Sequence, residues 1–144
     1  FRQFCTHAEL LVTTDNFVNC VSAARTFGFL RDVESLRSRG LAMGGSYDNV
    51  VVLDDHAILN AEGSRGEGEF VQHKILDAIG DLSLAGHGLW GEYRAVKSGH
   101  TLNNRAVRAL LGSPDAWDLV SFDVPAQSQN TALQPNNSVH LSPA

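Results

Sequence analysis

Phe70-Val71-Gln72-His73-Lys74-Ile75-Leu76-Asp77-Ala78-Ile79-Gly80-Asp81 is the stretch whose reading decides the fold. At about 100° per residue, Val71, Ile75, Ile79 and Leu82 fall on one apolar stripe, the face a helix buries. His73 and Asp77 stand nearly opposite that stripe, one turn apart on the same side. An imidazole and a carboxylate placed in this way offer one zinc ion N and O donors at about 2.0–2.2 Å from a single rigid face. Asp81 follows one turn later, where a carboxylate can steady a neighbouring group. Lys74 lies between the stripe and the donor face. On its own, H-x-x-x-D recurs on many solvated helix faces, so the neighbours must decide.

Working outward, the 144 residues are 43% hydrophobic and 19% charged, which predicts one globular domain with a core of its own. No run approaches the ~18 apolar residues that cross a bilayer, and no charged-then-apolar leader opens the chain. A chain that begins at Phe1 reads as a fragment or a processed product. Cys5 and Cys20 have no C-x-x-C partner and read as semi-buried thiols of a reducing compartment. The net charge of −5 argues against a general nucleic-acid or anionic-membrane surface. An anionic substrate would need local cations, and Lys74, Arg94, Lys97, His100 and Arg25 are the candidates.

Before the central stretch, Ala8 to Thr13 has the look of a strand. Thr14-Asp15-Asn16 is a helix start, with Phe17, Val21 and Ala24 at helical spacing. The Gly-containing aromatic segment around Phe27 and Phe29 reads as a turn into a short strand. Asp32 can cap a second helix, which Gly40 ends. Asn49 to Leu53 is a strand, and Asp54-Asp55 turns it into a return strand over His56–Asn60. Beyond the central helix, Gly86 is the expected stop, and Leu89 to Val96 reads as a strand. Lys97 to His100 is a tight polar turn. A last helix from Thr101 turns Leu102, Ala106, Ala109 and Leu110 inward, and Trp117, Leu119, Val120 and Phe122 make an apolar patch. From residue 124 to 144 the composition shifts to Gln, Asn, Ser and Pro, so a disordered tail is expected. Without regular βα alternation, the pattern predicts an α+β fold, a two-layer sandwich of helices on a mixed or antiparallel sheet with a β-α-β insert at about 27–53.

Four blocks in order, Ala24-Arg25-Thr26-Phe27-Gly28-Phe29, Gly44-Gly45-Ser46, the run from His73 to Asp81, and Lys97-Ser98-Gly99-His100-Thr101-Leu102-Asn103-Asn104, together resemble the second domain of UDP-3-O-acyl-N-acetylglucosamine deacetylases. These are zinc hydrolases that remove the N-acetyl group in the committed step of lipid A (lipopolysaccharide) synthesis in Gram-negative bacteria. The resemblance implies residues 1–123 as that second domain, with the first domain outside this chain, and a cytoplasmic location. It implies His73 and Asp77 as two of three zinc ligands, and His100 as the catalytic histidine that steadies an oxyanion and protonates the leaving amine. Asp81 would be the carboxylate paired with His100, and Thr26 the hydroxyl that meets the tetrahedral intermediate. Lys74 and Lys97 would face the substrate's diphosphate, and Phe27 its sugar. Val33, Ala42, Ser46, Tyr47 and Val52 match the lining of a passage for the 3-O-acyl chain.

One departure matters. The family's third zinc ligand and its general-base glutamate form a Glu-His pair in the first domain, and this sequence contains no Glu followed by His. The expectation is therefore a half-site, a piece of an active deacetylase whose third ligand and base lie in the first domain of the same enzyme. The competing reading is a catalytically silent module that binds acylated UDP-sugars, or a half-enzyme completed by another chain. His and Asp donors suit Zn²⁺ and Fe²⁺ alike.

Overall fold

The computed structural model describes residues 5–122 and 140–143. In chain order the elements are strand β1 (Cys5–Glu9), a short helix α1 (Thr14–Asn16) running into a π-helical turn (Phe17–Val21), β2 (Thr26–Phe29), α2 (Leu30–Ser38), β3 (Val50–Leu53), α3 (Glu69–Leu82), α4 (His100–Leu111) and β4 (His140–Pro143). Helices and short strands interleave, which is the α+β class the pattern predicts. The chain divides into two compact units, Phe1–Leu76 with Ser138–Ala144, and Asp77–Asn137.

In the first unit, β1 pairs antiparallel with β4, with a register shift between Cys5 and His7. Four residues of the expected disordered tail are thus a strand; 123–139 and 144 lie outside the described residues. The expected first strand sits further toward the N-terminus than Ala8–Thr13. Thr13 is taken by another role, because its hydroxyl accepts the Asn16 N–H and caps α1.

The β-α-β insert forms as read. β2 and β3 are parallel, from Thr26 opposite Val50 to Phe29 opposite Leu53. Parallel neighbours need a crossover, and α2 supplies it. Gly40, at φ +74°, closes that helix in the left-handed conformation that a side chain would strain. The β-branched run Val50-Val51-Val52 suits a strand. Its centre is the core: Val51 is fully buried, with Val21, Val52 and Leu53 close to it in burial. The hairpin after β3 is tighter than expected. Asp54 accepts the backbone N–H groups of His56 and Ala57, and one bridge, Leu53 with Ile58, stands in place of a return strand. Asn60 then stitches the loop back, accepting the Val52 N–H and donating to the carbonyls of Tyr47 and Val50.

In the second unit, Gly86 at φ +81° stops the helical run, as expected. No strand forms over Leu89–Val96. No neighbouring edge pairs with it among the described residues, and Trp90 and Val96 stand 83% and 86% exposed. Trp90 instead packs its ring on Phe122 at 5.0 Å between centroids. The inward face of α4 also differs from the apolar reading. Asn103 and Val107 are buried, while Leu102 is exposed. Trp117, Leu119, Val120 and Phe122, the expected apolar patch, are exposed. No helix among the described residues is long and apolar enough to cross a membrane.

Candidate active site

In the first unit the site is built on a buried ion pair. Arg25 and Glu69 have side chains only 3% and 1% exposed, with Nε 2.9 Å from Oε1. Glu69 Oε1 also accepts the backbone N–H of Arg25 at 3.0 Å, and Oε2 accepts the backbone N–H of Arg65 at 2.6 Å. Arg25 Nη1 donates to Glu62, and Nη2 to the Gly63 carbonyl and to Glu69 Oε2 at 3.2 Å. Burial pushes the Glu69 carboxyl up, but the guanidinium and the two backbone donors outweigh it and hold the group below the usual carboxylate range. The same hydrogen bond raises Arg25. The start of α3 is thereby fixed to the residue that precedes β2.

One turn beyond Glu69, His73 places Nδ1 3.3 Å from the Ala24 carbonyl oxygen. The Phe27 ring meets Phe70 edge-on at 4.8 Å and His73 at 6.2 Å. Thr26, first residue of β2, is exposed beside them in sequence, and Lys74 is half-buried. Of the expected acyl-passage residues, Val52 is buried and Val33 half-buried, whereas Ala42, Ser46 and Tyr47 are exposed.

In the second unit a chain of hydrogen bonds converges on His100. Its Nδ1 lies 2.9 Å from Oδ2 of Asp81. Asn103 Nδ2 donates to that same carboxylate oxygen at 2.8 Å, and Tyr93 Oη donates to Asn103 Oδ1 at 2.8 Å. His100 Nε2 is 3.8 Å from Oδ1 of Asp77. The carboxylates are mostly buried, 11% exposed for Asp77 and 15% for Asp81, while the imidazole is 72% exposed. His100 opens α4, with Gly99 extended ahead of it as the cap, and Lys97 turns the loop in the left-handed region at φ +51°. The arrangement is an oriented, solvent-facing imidazole backed by a buried carboxylate, which is equipment for moving a proton.

His73 and Asp77 are one turn apart on the continuous helix α3, and the His73 ring is held by a carbonyl at Nδ1, as ligating histidines generally are. As donor types, an imidazole nitrogen and a carboxylate oxygen suit a zinc ion. Among the described residues no group of three or more His, Cys, Asp and Glu could hold an ion.

Sequence reading did not assign Glu69, Asn103 or Tyr93 a part. The signals were present. Glu69 stands four residues before His73 and Asn103 three after His100, each on the same helical face as its neighbour.

Buried acid–base pairing of this kind has a consequence for stability. A carboxyl held below its unfolded value, about 4.3 for Glu, binds fewer protons when folded, so stability is full above that value and is lost as pH falls through the lowered folded one. Glu62, held down by its own backbone and by Arg25, and Asp54, held down by the His56 and Ala57 amides, act in the same direction. The thermal midpoint followed by circular dichroism should be level from pH 7 to about 5 and fall below about 4. In Glu69→Gln the acid-side fall should be shallower; an identical fall would remove Glu69 from the account.

Among the described residues, the chain thus carries an oriented imidazole–carboxylate pair on α3 and α4 of an α+β fold. The family model for UDP-3-O-acyl N-acetylglycosamine deacetylase matches residues 2–112. The chain is 53% identical over 135 residues to the UDP-3-O-acyl-N-acetylglucosamine deacetylase of Shewanella frigidimarina, covering 94% of this chain and 44% of that protein. It is 52% identical over 134 residues to the enzyme of the same name from Shewanella sp. strain ANA-3, with 93% and 44% covered, and 53% identical over 133 residues to that of Shewanella baltica strain OS155, with 92% and 44% covered. The chain belongs to the UDP-3-O-acyl N-acetylglycosamine deacetylase family, and it spans 44% of the length of these curated relatives.

Proposed function

We propose that the chain forms part of a cytoplasmic, zinc-dependent deacetylase that removes the N-acetyl group from UDP-3-O-acyl-N-acetylglucosamine, the committed step of lipid A synthesis. The observation that carries this reading is the hydrogen-bonded run Tyr93–Asn103–Asp81–His100, assembled in a chain that also carries His73 and Asp77 on one helix. A pure binding module has no physical need to aim an imidazole with a buried carboxylate.

In this reading His73 and Asp77 would hold zinc, the third protein ligand and the general base being supplied by the portion of the relatives that this chain does not span. Zinc, when bound, polarises an amide carbonyl and lowers the pKa of water toward ~7. The chain's own residues do the rest. His100 hands a proton to the departing amine, since an amine leaves poorly as an anion. Asp81 keeps the His100 proton on Nδ1 when the ring is neutral, and Asn103 fixes the carboxylate that does so. The Thr26 hydroxyl donates to the developing oxyanion. Lys74 and Lys97 meet the diphosphate as point charges, and Phe27 packs on the sugar. Val33, Ala42, Ser46, Tyr47 and Val52 take the acyl chain.

The test is zinc affinity of the 144-residue chain, alone and mixed with the first half of the Shewanella frigidimarina relative, with deacetylation assayed in each. Weak zinc alone, with tight zinc and turnover on mixing, is expected. Binding of acylated UDP-sugar without any zinc dependence or turnover would favour the silent binding module instead.

A further inference from the structure

Glu69 and His73 are one helical turn apart on α3, and they address opposite ends of a single peptide group. The bond joining Ala24 to Arg25 presents its carbonyl to His73 Nδ1 at 3.3 Å and its N–H to Glu69 Oε1 at 3.0 Å. A carbonyl only accepts, so the Nδ1 of His73 must carry the ring proton for this contact to be a hydrogen bond. That is the tautomer in which a metal would be met through Nε2. A carboxylate on the N–H end polarises the peptide and strengthens its carbonyl as an acceptor, as hydrogen bonds in a chain do. The peptide cannot turn away, because the Arg25 side chain of the same residue is locked onto the same carboxylate at 2.9 Å.

We propose that Glu69 is a positioning residue for His73, acting through the Ala24–Arg25 peptide to hold the imidazole as the Nδ1–H tautomer with Nε2 as its ligating atom. The proposal rests on the deacetylase reading for what His73 then does, but the tautomer itself does not. Within the first unit the clamp closes a ring: the helix start grips the peptide by its N–H, and the helix's next turn grips it by its carbonyl. The ring thus sets both the rotation of the imidazole and its protonated atom before any ion arrives. Outer partners of this kind are worth about 10–100-fold in metal affinity.

The experiment uses the whole 144-residue chain, metal-free, with His73 assigned in long-range ¹H–¹⁵N spectra above pH 7.5. The parent chain should show His73 chiefly as the Nδ1–H form, against the Nε2–H form that solvated imidazoles prefer. Glu69→Gln keeps the shape and removes the charge, and should shift His73 toward Nε2–H and weaken Zn²⁺ binding by about 10–100-fold. Nε2–H in the parent chain would overturn the proposal without recourse to a variant, should Glu69→Gln fail to fold. A folded Glu69→Gln with a lower melting midpoint but an unchanged His73 tautomer would also overturn it, leaving the ion pair a stabilising contact only. Should the parent take up no zinc, alone or with the relative's first half, the deacetylase reading fails, and the tautomer comparison alone decides the role of Glu69.

Discussion

His73→Ala is expected to abolish tight zinc binding and, with the complementary half present, to reduce deacetylation by at least about 10³-fold. The size follows from what a zinc ion would supply in the proposed reading. Polarising an unreactive amide is worth several kcal/mol, and each 1.36 kcal/mol is tenfold in rate. His73 is half-buried on α3, so its removal also leaves the Ala24 carbonyl without that partner. The change to the fold should nonetheless be modest. The core of the first unit is Val21, Val51, Val52 and Leu53, and the start of α3 is held by Arg25 and Glu69, none of which the substitution touches. The measurements are zinc content after dialysis against a fixed free-metal buffer, circular dichroism, and turnover. A folded His73→Ala that retains full zinc affinity would take His73 out of the metal site. Asp77→Ala should repeat the result, with one difference. Asp77 also lies 3.8 Å from His100 Nε2, so its loss removes a negative charge facing the imidazole.

These expectations trace back to how much the sequence could say. The central helix was legible almost to the residue, 70–81 against Glu69–Leu82, because period and stop signals agree there. The residue omitted at its N-terminal end, Glu69, holds the helix start. A lone acid before an apolar run reads as a first-turn charge facing solvent, and nothing in the local pattern shows that Arg25, 44 positions earlier, will bury it. The β-α-β insert was legible because a Val run and a Gly-terminated helix are strong local signals. The face of α4 was not. A hydrophobicity pattern turns Leu102 inward, yet Asn103 is the buried residue, since it satisfies Asp81 and Tyr93 together. A polar network packed inside a helix pair carries the surface signature of a solvated face. The strand expected over Leu89–Val96 failed for a different reason. Aromatic and branched residues give a stretch the propensity for a strand, but a strand also needs an edge to pair with.

His100→Ala should leave zinc affinity within about twofold of the parent and depress turnover by about 10²–10⁴-fold, the usual contribution of a general acid. The geometry separates the two readouts. His100 stands on α4, presents an imidazole 72% exposed, and is bonded through Nδ1 to Asp81, which leaves Nε2 for the proton transfer proposed for it. Asp81→Asn should give a smaller loss. An amide oxygen can still accept the Nδ1 proton, but as a neutral acceptor it forms a weaker hydrogen bond and holds the ring less firmly. Asn103→Ala probes one step further out: the His100–Asp81 bond remains, but Asp81 Oδ2 and Tyr93 Oη each lose their partner on Asn103. The three variants should therefore rank in turnover as His100→Ala lowest, then Asp81→Asn, then Asn103→Ala, with zinc affinity near parental throughout. Loss of zinc in His100→Ala would make His100 a metal ligand instead of the acid. Equal activity in all three would show that the hydrogen-bonded run from Tyr93 to His100 orients a side chain the reaction does not use.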